Sequence, residues 1–489
     1  MTHAPAFRTT HFINGQWSPE SDNTFDDCNP LTGEVIASIA AGGRAEGDAA
    51  VAAAHAAFPA WAAMTPGERQ SLFLKAADIT ERRHDDAVHL MAVEAGTARA
   101  FASFQVRLSA NLMRQAASWG YLPYGDLLKS DTPGRMAMVA RKPLGVVAGF
   151  TPWNGAFYLG WRTFVLPMAF GNTVVIKPSE EAPLSAGLLH AEILEEAGFP
   201  AGSFNVVTHA PRQAEPIADA FFESRAVRSI NFTGSDKTAR ILGARAGQTL
   251  KRMVLELGGF NPMIILADAD LDEAAKAVNF GAFFHQGQIC MNTRKVYVAR
   301  EIHDAFLDRL AARTNSLKAG DPLEAGVVIG PLINDRAVAQ TKERLAEALS
   351  KGARLVTGGS CDGRVFQPTI LANVPQDVLA TQGCDETFGP LLVVEAFDDP
   401  EQALADAQDT PYGLSAAIMT GNAARGLDMA QRFDTGIVHV NGATMAGEAS
   451  LPNGGVKDSG WGRSGHYAVE DFTEIRLTTV TSKPGHYPF

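Results

Sequence analysis

The sequence predicts an α/β protein built from two large domains and a small β-arm. Three observations predict it. At 489 residues the chain exceeds what one ordinary core organises. From about residue 136, short β-rich runs (GVVAGFTP, NTVVIKPS, FNVVTH, SINFTGS, MVLELGG) are separated by helical stretches such as SAGLLHAEILEEAG. That alternation implies a parallel sheet with helices on both faces. A second alternating series starts near Asn261, and two β-rich pieces stand outside both series, at 121–143 and in the tail TEIRLTTVTSKPGHYPF.

Taken in order, residues 44–120 read as helices. AEGDAAVAAAHAAFPAWAAM is alanine-rich, and Thr65-Pro66-Gly67-Glu68 looks like a cap with proline at the first helical position. The first strand series closes at 256, so the first unit comprises 1–120 and 144–256. The second unit, 257–455, runs through MIIL, a helix in DEAAKAVNFGAFF, the strand KVYVA, a helix near 301–318 and the strand LLVVEAF. The turn signal Thr132-Pro133-Gly134 lies between possible strands of 121–143. Paired with 473–489, this segment forms an arm whose edges need covering by another subunit, which predicts a homodimer or homotetramer.

Composition excludes several classes. The net charge of −12 carries no basic stripe, which argues against nucleic acid and anionic membrane as partners. No run reaches the roughly 18 apolar residues of a membrane span, and the first residues lack a signal-peptide core, so a soluble cytoplasmic protein is expected. Cys28, Cys290, Cys361 and Cys384 are widely spaced, form no CxxC and suit neither a disulfide framework nor a structural metal site.

The chemistry concentrates at strand ends. Cys290 follows the apolar run FFHQGQI; near a loop or helix start such a thiol ionises readily, though an isolated cysteine is more often a small buried hydrophobe. Glu256 closes the apolar strand MVLEL. It reads either as a general base raised in pKa by apolar surroundings or as one half of a salt bridge. Asn154, after Thr151-Pro152-Trp153, offers a side-chain amide at a strand carboxyl end, against the alternative of a plain turn asparagine. Lys177-Pro178-Ser179-Glu180 places a cation and an anion to hold ribose hydroxyls, against an ordinary solvated loop. Thr233-Gly234-Ser235 opens a helix whose free N–H groups suit a phosphate, although no GxGxxG accompanies it. Singly the bland readings hold their own; four strand ends of one sheet bearing complementary groups outweigh them.

PWN, IKPSE, FTGS, LELGG, GQIC, ETFGP at 386–390 and GGVKDSGWGR at 454–463 resemble, in order and spacing, the NAD(P)-dependent aldehyde dehydrogenase superfamily from end to end. The resemblance implies a Rossmann-like cofactor domain, an α/β catalytic domain and an oligomerisation arm. It implies Cys290 as nucleophile, Glu256 as general base and Asn154 as oxyanion donor. It also implies that NAD, with NADP as the alternative, is held by Thr151, Pro152, Trp153, Lys177, Ser179, Glu180, Gly234, Ser235, Leu257, Glu386 and Phe388, with no metal. HQGQICM, THAPRQAEP at 208–216 and Arg162 look most like the benzaldehyde, vanillin and salicylaldehyde dehydrogenase branch, so an aromatic aldehyde is the expected substrate. An aliphatic aldehyde or semialdehyde is the alternative.

Gly155, Phe260 and Asn453 depart from common family residues and bear on the substrate rather than the chemistry. If NGAFYLGWR is helical, Asn154, Tyr158 and Arg162 share a face at i, i+4 and i+8. Tyr158, Arg162 and Asn453 are therefore expected at the substrate, Arg162 meeting a ring hydroxyl or stacking on the ring, against the alternative that it pairs with a structural carboxylate. More remote alternatives are a CoA-acylating enzyme, which has no use for Glu256, and a cysteine esterase, which needs a histidine such as His285 beside the thiol.

Overall fold

The computed structural model describes residues 7–122, 125–375, 387–445, 447–482 and 489. Two mixed sheets organise the chain. The first has the strand order Gln16–Trp17, Phe12–Ile13, Phe204–Val206, Thr173–Pro178, Val146–Thr151, Val227–Thr233, Arg252–Glu256, Gly460–Trp461. Its five central strands are parallel, as the strand–helix alternation predicts. Its outer strands bring in antiparallel pairings, which that alternation does not predict: Phe12–Ile13 is the first leg of a hairpin and runs against Phe204–Val206, and Gly460–Trp461 comes back to Arg252–Glu256 from far along the chain.

The central strands Val146–Thr151, Thr173–Pro178 and Val227–Thr233 are almost fully buried, consistent with their unbroken apolar runs. The chain winds outward from Val146–Thr151 in one direction, then resumes on its other side at Val227–Thr233. The order therefore reverses between these two strands, and a crevice opens beyond their carboxyl ends. Pro152–Asn154, Gly234–Ser235 and Leu257 follow directly from strands at this point.

The second sheet runs Arg354–Thr357, Thr369–Ala372, Leu391–Phe397, Lys295–Ala299, Met263–Ile265, Ser415–Met419, Ile437–Val440, parallel except at the Arg354–Thr357 edge. Thr473–Thr481 pairs antiparallel with Arg135–Pro143, which pairs with Gly125–Leu128, giving the three-stranded arm. Its Leu127, Leu128, Met136, Ile475, Leu477 and Val480 are exposed.

Helical expectations hold where local signals are strong. Pro66–Arg82 starts at Thr65, whose hydroxyl accepts from the Glu68 N–H while Glu68 reaches back, a complete capping box. SAGLLHAEILEEA begins with a π-helical turn, Leu184–Leu188, before the α-helix Leu189–Ala197, which periodicity alone does not reveal. The buried helix Arg99–Trp119 packs against Ala156–Ala169. No helix among the described residues is long and apolar enough to cross a membrane.

Candidate active site and coenzyme cleft

The helix Leu271–Phe283 ends before Cys290, so the thiol is not carried on a helix. Instead His285, Gln286 and Gly287 take left-handed conformations (φ 54°, 52° and 71°), and the chain turns sharply into Gln288–Cys290. Only the last of the three is glycine, so the turn is held against strain. Its anchors are buried side chains. Arg294 donates to the carbonyls of Gly287 (2.8 Å) and Ile289 (3.1 Å); Asn292 accepts from the Ile289 N–H (2.6 Å). Asn261 donates to the carbonyls of Cys290 (2.6 Å) and Asn292 (3.0 Å).

Asn154 is buried and its Nδ2 donates to the Gln288 carbonyl at 2.9 Å, so the strand-end amide is already oriented at the thiol loop with a second N–H to spare. Glu256 closes Arg252–Glu256, and its Oε1 lies 3.8 Å from the Cys290 Sγ. The expectation of a carboxylate in purely apolar surroundings is corrected here: Glu256 Oε2 pairs with the Arg162 guanidinium. The salt-bridge alternatives for Glu256 and for Arg162 are one and the same pair. Arg162 also donates to the Thr233 hydroxyl at 3.3 Å. Burial works against its charge, but the carboxylate of Glu256, with Tyr158 and Cys290 contributing, holds its pKa above the ordinary value.

A pocket of about 620 Å³ opens on the thiol. Asn154, Tyr158, Arg162 and Asn453 line it, as the i, i+4, i+8 spacing implies, even though the helix proper begins at Ala156. Gly155 lines it too; a Cβ there would meet Leu159 at 3.0 Å, so an aromatic residue at this position would fill the space. Asn453 is pinned by its backbone, accepting from Ser464 N (2.9 Å) and donating to Ser464 Oγ (2.8 Å). Phe260 packs on Tyr412, away from the pocket. The rest of the wall includes Ile289 and Met291 of HQGQICM, together with Phe101, Phe104, Leu108 and Met445, which motif reasoning did not single out. The available signal was the 101, 104, 105, 108 spacing on Arg99–Trp119, which reads equally as a core stripe. His285, the partner a cysteine hydrolase requires, packs its ring on Phe101 (centroids 4.8 Å), and burial pushes its pKa down to about 3.

On the opposite side of Cys290 a larger cleft of about 1050 Å³ is bounded by Pro152, Trp153, Gly234, Ser235, Leu257 and Phe388. Trp153 and Phe388 meet edge-on at 5.5 Å. Ser235 caps Asp236–Thr249, its hydroxyl accepting from Thr238 N at 3.3 Å, so the helix's first amides point to the cleft. Arg336 and Lys237 add cationic side chains that motif reasoning passed over. Thr151 is buried at the strand end; its hydroxyl donates to the Ala186 carbonyl (2.9 Å) and its carbonyl accepts from Ser179 N (3.0 Å). Glu386 lies outside the described residues.

Lys177 and Glu180 do come together, with a third member, His209. Lys177 Nζ is 2.5 Å from His209 Nε2, which lies 3.7 Å from Glu180 Oε2; His209 Nδ1 meets the Ala210 carbonyl at 2.8 Å. That last bond puts the proton on Nδ1 and leaves Nε2 to accept from Lys177. Burial lowers the Lys177 pKa to about 8, with Glu180 opposing, and lowers that of His209 to about 4. Burial works to raise Glu180, but Lys177 and backbone N–H groups bring it below the usual carboxylate range. A cation–anion pair, an open helix N-terminus and a long cleft ending at the thiol suit a dinucleotide. Among the described residues no cluster of three or more His, Cys, Asp or Glu suits a metal ion.

Comparison with known proteins agrees with this geometry. A family model described as the aldehyde dehydrogenase family matches residues 17–478. A vanillin dehydrogenase of Pseudomonas fluorescens is 43% identical over 478 residues, covering 97% of this chain and 98% of its own. The crystal structure of a salicylaldehyde dehydrogenase from Pseudomonas putida G7, complexed with salicylaldehyde, superposes with a TM-score of 0.96 at 37% identity, over 99% of this chain and 100% of that one. That of a betaine aldehyde dehydrogenase from Staphylococcus aureus in complex with NAD+ gives 0.94 at 27% identity, over 99% and 97%.

Proposed function

Because the chain belongs to the aldehyde dehydrogenase family, whose members use NAD(P), we propose that it oxidises an aromatic aldehyde to the carboxylic acid through a thioester on Cys290. The observation that carries the substrate class is the pocket. Phe101, Phe104, Tyr158, Met291 and Met445 surround the space beside the thiol with aromatic and apolar groups, and Gly155 leaves that space open. The resemblance to vanillin and salicylaldehyde dehydrogenases points the same way.

In this mechanism the Cys290 thiolate attacks the aldehyde carbon, and the second Asn154 N–H with the Cys290 backbone N–H receives the developing oxyanion. Asn154 is already fixed by Gln288, so little reorganisation accompanies that step. NAD(P), when bound, supplies the acceptor that turns the thiohemiacetal into a thioester. Lys177, oriented by His209, and Glu180 would hold its adenosine ribose, the Ser235–Asp236 helix start would take its pyrophosphate, and Trp153, Leu257 and Phe388 would flank its nicotinamide end. Glu256 Oε1, the oxygen nearer the sulfur, then removes a proton from the attacking water; the C–O bond forms, the C–S bond breaks and the thiolate is returned. NAD is preferred over NADP because a 2′-phosphate would face the Glu180 carboxylate. The exposed apolar arm assembles a homodimer or homotetramer.

A panel of benzaldehyde, vanillin and salicylaldehyde against hexanal, acetaldehyde and succinate semialdehyde tests the substrate class. The aromatic aldehydes are expected to give the higher kcat/KM; a clear preference for acetaldehyde or succinate semialdehyde removes the assignment.

A further inference from the structure

Arg162 lines the thiol pocket, and within it the guanidinium is paired with the Glu256 carboxylate. It is 8% exposed at its side chain, projects from Ala156–Ala169 and reaches the ends of two paired strands, where it touches both Glu256 and Thr233. The two carboxylate oxygens of Glu256 therefore have separate surroundings. Oε2 is engaged by the guanidinium; Oε1 faces the Cys290 sulfur. Beyond the pair lies a second, smaller pocket bounded by Asn231, Thr233, Val254, Asn453 and Trp461, which Arg162 and Glu256 separate from the thiol side.

We infer that Arg162 is the positioning residue of the general base, its guanidinium holding Glu256 by Oε2 so that Oε1 stays aimed at the Cys290 thioester and the attacking water. This rests on the covalent mechanism proposed above. Arg162 itself neither gains nor loses a proton: water's proton passes to Oε1, hydroxide adds to the acyl carbon, and the C–S bond breaks. Arg162 thereby serves every aldehyde that forms the thioester, in contrast to the ring-hydroxyl contact expected from sequence, because its fork is spent on Glu256 and Thr233.

The test is transient kinetics on Arg162→Ala and Arg162→Lys with benzaldehyde, vanillin and hexanal. In both variants the first NADH should form at close to the parent rate, as a burst near one equivalent. The following steady state should fall tenfold to a hundredfold in Arg162→Ala, inside the range a general base supplies, and less in Arg162→Lys. The fold-loss should be similar for all three aldehydes, and added guanidine should restore part of the steady rate in Arg162→Ala. If Arg162→Ala does not fold, Arg162→Lys carries the test alone, and steady turnover equal to the parent's overturns the inference. A slowed burst overturns it by placing Arg162 in thiol activation. A KM increase confined to vanillin, with kcat intact, overturns it by returning Arg162 to the ring. A parent that forms no NADH from any aldehyde fails the underlying mechanism and takes this inference with it.

Discussion

At the scale of single residues, the proposed mechanism assigns Cys290 and Glu256 separable halves of one reaction. Cys290→Ala should abolish NADH formation from every aldehyde while leaving NAD binding intact, because the coenzyme contacts lie on other strands; residual turnover above a few per cent, measured spectrophotometrically, counts against the nucleophile. Glu256→Gln should keep the first NADH burst and lose about two to four decades of steady-state turnover, since only water activation is removed. A burst slowed in proportion would make Glu256 the thiol's base instead. Lys177 gives a pH signature. Burial brings its pKa down to about 8, while His209, at about 4, stays neutral through the working range. The ammonium donor is thus present below pH 8 and lost as pH rises through it, so the Kd for NAD should increase between pH 7 and 9. Lys177→Met should flatten that profile; an equally steep rise in the variant would assign it elsewhere. Of these residues, Glu256, Asn154, Lys177 and Glu180 were legible as candidates because each closes a strand or follows one, where such sheets place their sites, whereas Cys290 follows a helix and a sharp turn and stood out only by its motif. His209 was not. It reaches Lys177 from 32 positions away, and a histidine in a loop carries no local mark of that contact.

At the scale of elements, the thiol loop is the costly part. Gly287 sits at φ 71°, and a Cβ there would meet the Gly389 carbonyl oxygen at 2.3 Å. Gly287→Ala combines left-handed strain with a backbone clash, a cost of about 3 kcal/mol or more. It should lower the melting temperature by several degrees and kcat by more than tenfold. Unchanged calorimetry and kinetics would mean that the loop relaxes freely. Strand and helix alternation announced the parallel centre of the first sheet, because those strands are buried on both faces and read as continuous apolar runs. The antiparallel additions were hidden: Phe12–Ile13 and Gly460–Trp461 are two-residue strands, too short for any period to register. The aromatic wall of the substrate pocket was hidden for a different reason. Phe101, Phe104 and Leu108 occupy one face of Arg99–Trp119, and a helix that lines a cavity has the same pattern as one that fills a core.

At the scale of the whole molecule, the arm and the cleft have consequences that reach beyond one site. Leu127, Leu128, Ile475 and Leu477 are exposed on a three-stranded sheet with free edges, a surface that invites pairing with another copy. Light scattering should find a dimer or tetramer, and Leu127→Asp with Leu477→Asp should shift it toward monomer; a monomeric parent would remove the assembly reading. The coenzyme cleft draws its walls from distant stretches of chain: Pro152, Trp153 and Ser235 follow strands of the first sheet, while Phe388 precedes Leu391–Phe397 of the second. A dinucleotide lying there ties these two halves together only in the native state. By mass action it then adds to the unfolding free energy, about 2.7 kcal/mol at a hundred times its Kd. Thermal resistance is therefore a joint property of chain and coenzyme pool, rising with the logarithm of free NAD: a cell depleted of dinucleotide would hold not merely an idle enzyme but a more perishable one.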